Sequence, residues 1–392
     1  MNFKDLLEKY KNGSADDEEI KFIEEELEKH EAIEEYLSEG IDLDLKKDIT
    51  QDNITKETTF IKKSVNKKLR KVIISAVSIV FLILFAIFYI ISPAVSSFYY
   101  NPSQKTVGKY DEDLYFDLKA FTELNLPGYA VGGAASSENM GFGVYNIYFE
   151  RINLFTREEK DITAKIKRNM RIGSFIDFFA RDYFGFEEIR TPEIEKGDFL
   201  ERRSKNVISH IQRLNSVSYV SAYITFKDDL TMKELDELIK KYNEKIDFEW
   251  AGIRTEAPGK TLNYLSGFNP DYNGGSICSD SPDSKKYPYL QLIDWFKNPD
   301  NNQNDWSGAY TKHYISLLKY MNDRQMAVKA LDVNETKVDY YKNAFNYIQK
   351  NGVKTYGVLV YGEAADLLKF INNEKIKNIE LDDVLASKKY IN

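Results

Sequence analysis

At 392 residues the chain is longer than one compact domain usually is, so two or more folded units are expected. Its 30% charged and 43% hydrophobic residues are ordinary for globular protein, and a formal charge of -8 argues against nucleic acid as the main partner. The one cysteine, Cys278, excludes a disulfide scaffold and a zinc cluster of several thiolates.

The N-terminal run puts Phe3, Leu6, Leu7 and Tyr10 at helical spacing, and Asn12-Gly13 ends that helix. Ser14 then has the place of an N-cap, with Asp17 standing in for the usual glutamate of a capping box. The spacing predicts a second helix from about Asp16 to Ser38, closed by Gly40. On it Ile23, Leu27, His30, Glu34 and Leu37 share a stripe, flanked by Ile20, Ile33 and Tyr36, and the other face is nearly solid carboxylate. Residues 1–44 hold five basic and sixteen acidic side chains, a net of -11. Two short amphipathic helices bury little apolar surface between themselves. Their apolar faces need a partner, either another protein or a second copy of this head.

Residues 41–71 read as a polar linker and a basic juxtamembrane segment. From Val72 to Ile91 twenty residues follow without a charge. As a helix they span roughly 30 Å, the thickness of a bilayer's hydrocarbon core. A buried core helix of this length would show a polar stripe, and here only two serines interrupt. Lys62, Lys63, Lys67, Lys68, Arg70 and Lys71 crowd the N-terminal flank, while the first basic residue after Ile91 is Lys105. The positive-inside rule therefore predicts a cytoplasmic N-terminus and an extracellular C-terminus. Tyr89, Phe98, Tyr99 and Tyr100 are placed for an aromatic belt, and Pro93 is expected to stop the helix.

Residues 92–113 are expected to form an extracellular stalk, and 114–392 an extracellular α+β domain of one or two lobes. A strand is predicted over 143–150 and an amphipathic helix from Ile172 to Tyr183. Two strand–helix–strand stretches stand out: strands 217–225 and 248–254 around helix 231–242, and strands 354–361 and 376–381 around helix 363–372. Between them, about 258–312, the chain is rich in Gly, Pro, Asn, Asp and Ser and reads as a long insertion. Chemistry is sparse. The stretch Asp300 to Asp305 starts like a calcium loop, but Asp305 stands where that motif needs glycine and Thr311 where it needs glutamate. Gly132-Gly133 lacks the Gly-Lys-Ser/Thr of a phosphate loop, and His210 and His313 stand outside any nucleophile motif. No catalytic, metal or cofactor residue is assigned. The expected fold is multi-part: a small all-α cytoplasmic head (1–40), one transmembrane α-helix (72–91), and an α+β or α/β extracellular domain with mixed sheets.

The run FKDLLEKYKNGSADDEEIKFIEEELEKHEAIEEYL (3–37) resembles the N-terminal domain of membrane-bound anti-sigma factors of Gram-positive bacteria, which regulate extracytoplasmic-function sigma factors. The order of parts matches as well, ending in an outer sigma-factor-regulator C-terminal domain. Many such heads carry a zinc motif, His-x3-Cys-x2-Cys. The comparable window here is His30-x3-Glu34-x2-Leu37, and leucine ligates no metal, so the resemblance is to a zinc-less version. It implies that the head binds a sigma factor through Phe3, Leu6, Leu7, Tyr10, Ile20, Ile23, Leu27, Ile33, Tyr36 and Leu37. It further implies that the outer domain answers to the envelope state or to a second membrane regulator or protease. Membrane lipid is the expected partner of residues 72–91. The competing readings are a surface-anchored enzyme and an envelope structural protein, each with an oligomerising head.

Overall fold

The computed structural model describes residues 3–13, 15–42, 51–172, 185–190, 198–260, 262, 264–271, 283–302, 304–332 and 337–388. The chain divides into two compact units, residues 1–83 and 84–392.

In the first unit α1 spans Phe3–Lys11 and α2 spans Asp17–Asp42. The second helix runs through Gly40 and does not end there. One glycine costs a helix interior only about 1 kcal/mol, too little to stop a 26-residue helix by itself. The next helix, α3 (Gln51–Ala86), takes in the basic flank and most of the apolar run.

The second unit begins within that same apolar run. Ile87–Ile91 forms a π-turn, and α4 (Ser92–Ser96) follows directly. The helix thus passes Pro93 instead of stopping at it. The Ser92 N–H bonds to the Ile87 carbonyl, five residues back. That widened turn absorbs the misfit of proline's ring and missing N–H. From Phe60 to Ser96 the helix is long and apolar enough to cross a membrane, and none of its most apolar window is packed against the rest of the molecule. A core helix would be covered. This is the single membrane-spanning helix among the described residues.

Beyond it, α5 (Asp113–Asn125) leads into a four-stranded sheet, β1 (Tyr129–Gly141), β2 (Val144–Asn153), β3 (Glu159–Lys167) and β4 (Met170–Ile172). The strands lie in sequence order and pair antiparallel. Tyr145, Ile147 and Phe149 on β2 and Ile162, Ala164 and Ile166 on β3 turn inward, the period of two that gives a sheet one buried face. Gly132 and Gly133 lie within β1, where the register slips between Val131 and Ala135. Two helices come next, α6 (Glu187–Arg190) and α7 (Asp198–Arg213). The helix predicted over Ile172–Tyr183 lies outside the described residues except for Ile172, which ends β4.

The second sheet is built from β5 (Tyr219–Thr231), α8 (Met232–Tyr242), β6 (Ile246–Ile253), β7 (Gly267–Phe268), α9 (Ile293–Lys297), α10 (Ser307–Asp323), α11 (Gln325–Leu331), α12 (Lys337–Asn351), β8 (Lys354–Glu363), α13 (Ala364–Asn373) and β9 (Ile376–Leu385). Both predicted strand–helix–strand stretches are present. Neither closes on itself: the order β7-β6-β8-β5-β9 puts β8 between β5 and β6, and β5 between β8 and β9. Neighbours pair antiparallel, so two split β-α-β units interleave in the ferredoxin-like manner. Thr231 starts α8 with a capping box: its hydroxyl accepts from the Glu234 N–H, and the Glu234 carboxylate accepts from the Thr231 N–H at 2.7 Å. Of the predicted insertion, 267–268 is β7, 293–297 is α9 and 307 onward is α10, while Cys278 lies outside the described residues.

The faces of this sheet differ in kind. One is aliphatic, with Val220, Ala222, Ile224, Val358 and Val360 in the main core. The other is aromatic, with Tyr219, Tyr223, Trp250, Tyr356 and Tyr361. Phe155, from the turn after β2, stacks on Tyr219 at 5.2 Å and meets Tyr361 at 4.9 Å. Phe186 packs edge-on against Tyr223 and Tyr356 at 5.0 and 5.1 Å. These contacts beyond area burial tie the first sheet's connections to the second sheet.

Candidate functional site

The head is an antiparallel pair, closed by Lys9 to Glu19 at 2.8 Å. Its α2 is capped by Asp16, while Ser14, the N-cap expected from sequence, lies outside the described residues. The Asp16 carboxylate accepts from the Glu18 and Glu19 N–H groups at 3.1 and 2.8 Å, and the Glu19 carboxylate accepts from the Asp16 N–H at 3.2 Å. This is a complete capping box shifted two residues along the chain, which supplies a true glutamate at the third helical position. Asp16→Ala is expected to cost the head about 1 kcal/mol, seen as faster hydrogen exchange at the first-turn amides of α2; unchanged exchange would refute the cap.

The candidate contact residues now separate. Ile23 is fully buried and holds the pair together. Leu6, Leu7 and Ile20 are half-buried. Tyr10, Leu27 and Ile33 stand out into solvent at 39%, 45% and 55% exposure, and Phe22, which the sequence stripe omitted, at 48%. The side chains of Phe3, Tyr36 and Leu37 lie outside the described residues. His30 and Glu34 are exposed, and among the described residues no group of three or more His, Cys, Asp or Glu side chains could hold a metal.

In the C-terminal domain the chain after the membrane helix is held by a buried network. Asp113 and Asp117 are fully buried. The Arg324 guanidinium donates to both Asp117 oxygens at 2.8 and 2.7 Å and lies 3.0 Å from Asp113. Tyr100 and Tyr320 each donate a hydroxyl to Asp117 at 2.7 Å, and the Thr106 and Val107 N–H groups donate to Asp113. The predicted stalk is therefore packed: Tyr100 is 3% exposed and its N–H donates to Asn169 at 2.6 Å.

A second polar centre joins α5 to α10. His313 is buried, its Nδ1 2.7 Å from the Tyr289 carbonyl and its Nε2 2.7 Å from Glu123. A carbonyl only accepts, so Nδ1 carries a hydrogen. Burial opposes the Glu123 charge, yet His313, Lys119 and the Asn269 N–H hold its carboxyl below the ordinary range. So His313, isolated in sequence, has a carboxylate partner 190 residues away.

A cavity of about 560 Å³ opens beside β6, lined by Asp236, Lys240, Asp247, Glu249, Asp271, Trp306 and Tyr310 among others. Burial pushes the Glu249 carboxyl up to about 8; Arg157 opposes this, while Asp271 and Asp247 add to it. Its bond to the Asn269 amide is long, 3.5 Å.

Residues 211–383, from the end of α7 into β9, match the sigma factor regulator C-terminal domain. A relative in Bacillus subtilis (strain 168), the probable anti-sigma-M factor YhdL, is 23% identical over 399 residues, covering 97% of each chain. The chain is a relative of the anti-sigma factors. No solved structure matches it. Like the anti-sigma factors it is a membrane-anchored regulator, and among the described residues one spanning helix divides a small helical region from a large α+β domain.

Proposed function

We propose that the chain is an anti-sigma factor whose cytoplasmic head holds an extracytoplasmic-function sigma factor away from RNA polymerase. The carrying observation is the surface of α2, where Phe22, Leu27 and Ile33 project from a helix whose other exposed side chains are mostly carboxylates. Apolar anchors of this kind supply burial when a partner covers them. The surrounding acid speeds association with a basic partner more than it tightens the complex. Orientation follows from Lys62 to Lys71, which favour the cytoplasmic side, where RNA polymerase works. The C-terminal domain then faces outward and reads the envelope or engages a second membrane regulator or protease.

Residues 1–71 expressed alone are expected to co-purify with one of the host's sigma factors and to inhibit its transcription. A fragment that binds none of them ends this reading. In the full chain, Leu27→Asp with Ile33→Asp is expected to weaken sigma binding by about 30-fold, the loss of roughly 2 kcal/mol typical of an interface anchor. Its regulon would then stay on without any envelope signal. Unchanged affinity in the double variant would move the contact to other residues.

A further inference from the structure

The end of the membrane helix is stitched to two turns of the first sheet. The Phe142 N–H donates to the Ser92 hydroxyl oxygen, and the Gly143 N–H to that of Ser96, both at 2.9 Å. Arg168 N–H donates to the Gly143 carbonyl at 2.8 Å, and Asn169 takes the Tyr100 N–H. The approach is close: a Cβ on Gly143, which has φ +72°, would lie 2.8 Å from the Tyr99 ring.

These bonds fix a depth. The apolar run ends at Ile91, so Ser92 marks the edge of the hydrocarbon. Ser92 to Ser96 advances about 6 Å along the helix, close to the thickness of one headgroup layer. Any atom bonded to those serines lies in that layer. The turns carry what such a layer takes. Met140 and Met170 are 52% and 66% exposed, and Phe98, just past the helix, is 74% exposed. Lys167 and Arg168 are exposed beside them. A turn facing water is normally built from Gly, Asn, Asp, Ser or Pro. Here one turn runs Asn139-Met140-Gly141-Phe142-Gly143, with Phe142 at the uncommon φ of +54°.

We propose that the turns 139–143 and 167–170 form a foot that rests in the bilayer surface on the side of the C-terminal domain. Phe98, Met140 and Met170 enter the boundary between headgroups and acyl chains, and Lys167 and Arg168 meet phospholipid phosphate. The division of labour is that of an interfacial anchor, apolar side chains inward and basic ones at the charge layer. The foot sets the height and tilt of the domain, so that it does not hang free from the helix.

The test uses the full chain in nanodiscs of phosphatidylglycerol and phosphatidylcholine. In a Cys278→Ser background, nitroxides are placed through Met140→Cys, Met170→Cys, Leu82→Cys inside the span, and Lys350→Cys on exposed α12. Collision with oxygen and with a nickel chelate is then measured. Leu82 checks insertion. Positions 140 and 170 are expected to show an oxygen-to-nickel ratio at least about threefold that at 350, as depth in a bilayer requires. The same ratio at 140, 170 and 350, with 82 buried in lipid, would overturn the foot and leave the span intact. Nickel exclusion without oxygen enrichment, the mark of a covering protein, would also overturn it. A second variant, Met140→Trp with Cys278 untouched, is expected to be quenched by lipids brominated near the carbonyls; folded protein without added quenching would count equally against the proposal.

Discussion

Arg324→Met is expected to destabilise the C-terminal domain by about 3–5 kcal/mol, the loss found when one partner of a buried ion pair is removed. The reason is the pair left behind. Asp113 and Asp117 have no side-chain exposure, and Arg324 is the one cation bonded to both among the described contacts. Without it, two carboxylates share a dry site with only tyrosine and threonine hydroxyls and two backbone N–H groups as donors. Urea unfolding of the full chain in detergent, followed by tryptophan fluorescence, measures the change. A loss under about 1 kcal/mol would show that the aspartates do not depend on the guanidinium. Adding Asp113→Asn and Asp117→Asn to Arg324→Met is expected to restore part of the stability, because the stranded charge goes with its cause.

Stability of the same domain is expected to pass through a minimum near pH 8. Glu249 is raised to about 8 by burial, so between the ordinary carboxyl range and pH 8 the folded form keeps a proton that the unfolded form has released. Its contribution is present at low pH and is lost as pH rises through 8. Lys337 has the opposite sign. It is lowered to about 8 by burial, partly countered by Asp332, so between pH 8 and the ordinary lysine range the unfolded form holds the extra proton. Its contribution is present at high pH and is lost as pH falls through 8. Each limb is worth a few kcal/mol at most, since one pKa unit corresponds to about 1.4 kcal/mol. Glu249→Gln is expected to flatten the limb from about pH 4 to 8, and Lys337→Met the limb from about pH 8 to 10. If Glu249→Gln leaves the acid-side slope unchanged, the buried carboxyl is not its source.

Local pattern carried much of the architecture. The apolar runs of β5, β6 and β8 were plain because each is buried on both faces and needs no alternation. The order of strands was not legible, since a split β-α-β unit and an ordinary one share the same sequence of elements. Strands β1 and β3 escaped notice because glycine, serine and lysine fill their solvent-facing positions. Passage through Pro93 rests on one five-residue backbone bond that no side chain announces. In the head, an apolar stripe indicates which residues avoid water but not what covers them. It takes coordinates to separate buried Ile23 from exposed Ile33. The polar centres were the least readable, since Asp117 meets Arg324 across 207 residues of chain and Glu123 meets His313 across 190. Residues that far apart leave no periodic trace.

The packing of residues 92 to 107 has a consequence for cutting. A protease cleft accepts extended backbone, and much of this segment is instead held in a helix or by hydrogen bonds. Ser92–Ser96 is helical, with both terminal serines buried, Tyr100 is clamped at its N–H and its hydroxyl, and the Thr106 and Val107 amides are spent on Asp113. Scission at this border therefore waits on a local unfolding event, and its rate scales with the population of that opened form. Any ligand that tightens the seat lowers that population and lengthens the life of the intact chain, while any force that lifts the hairpin from the helix shortens it. The border acts as a latch whose resistance is set by a few hydrogen bonds and one arginine.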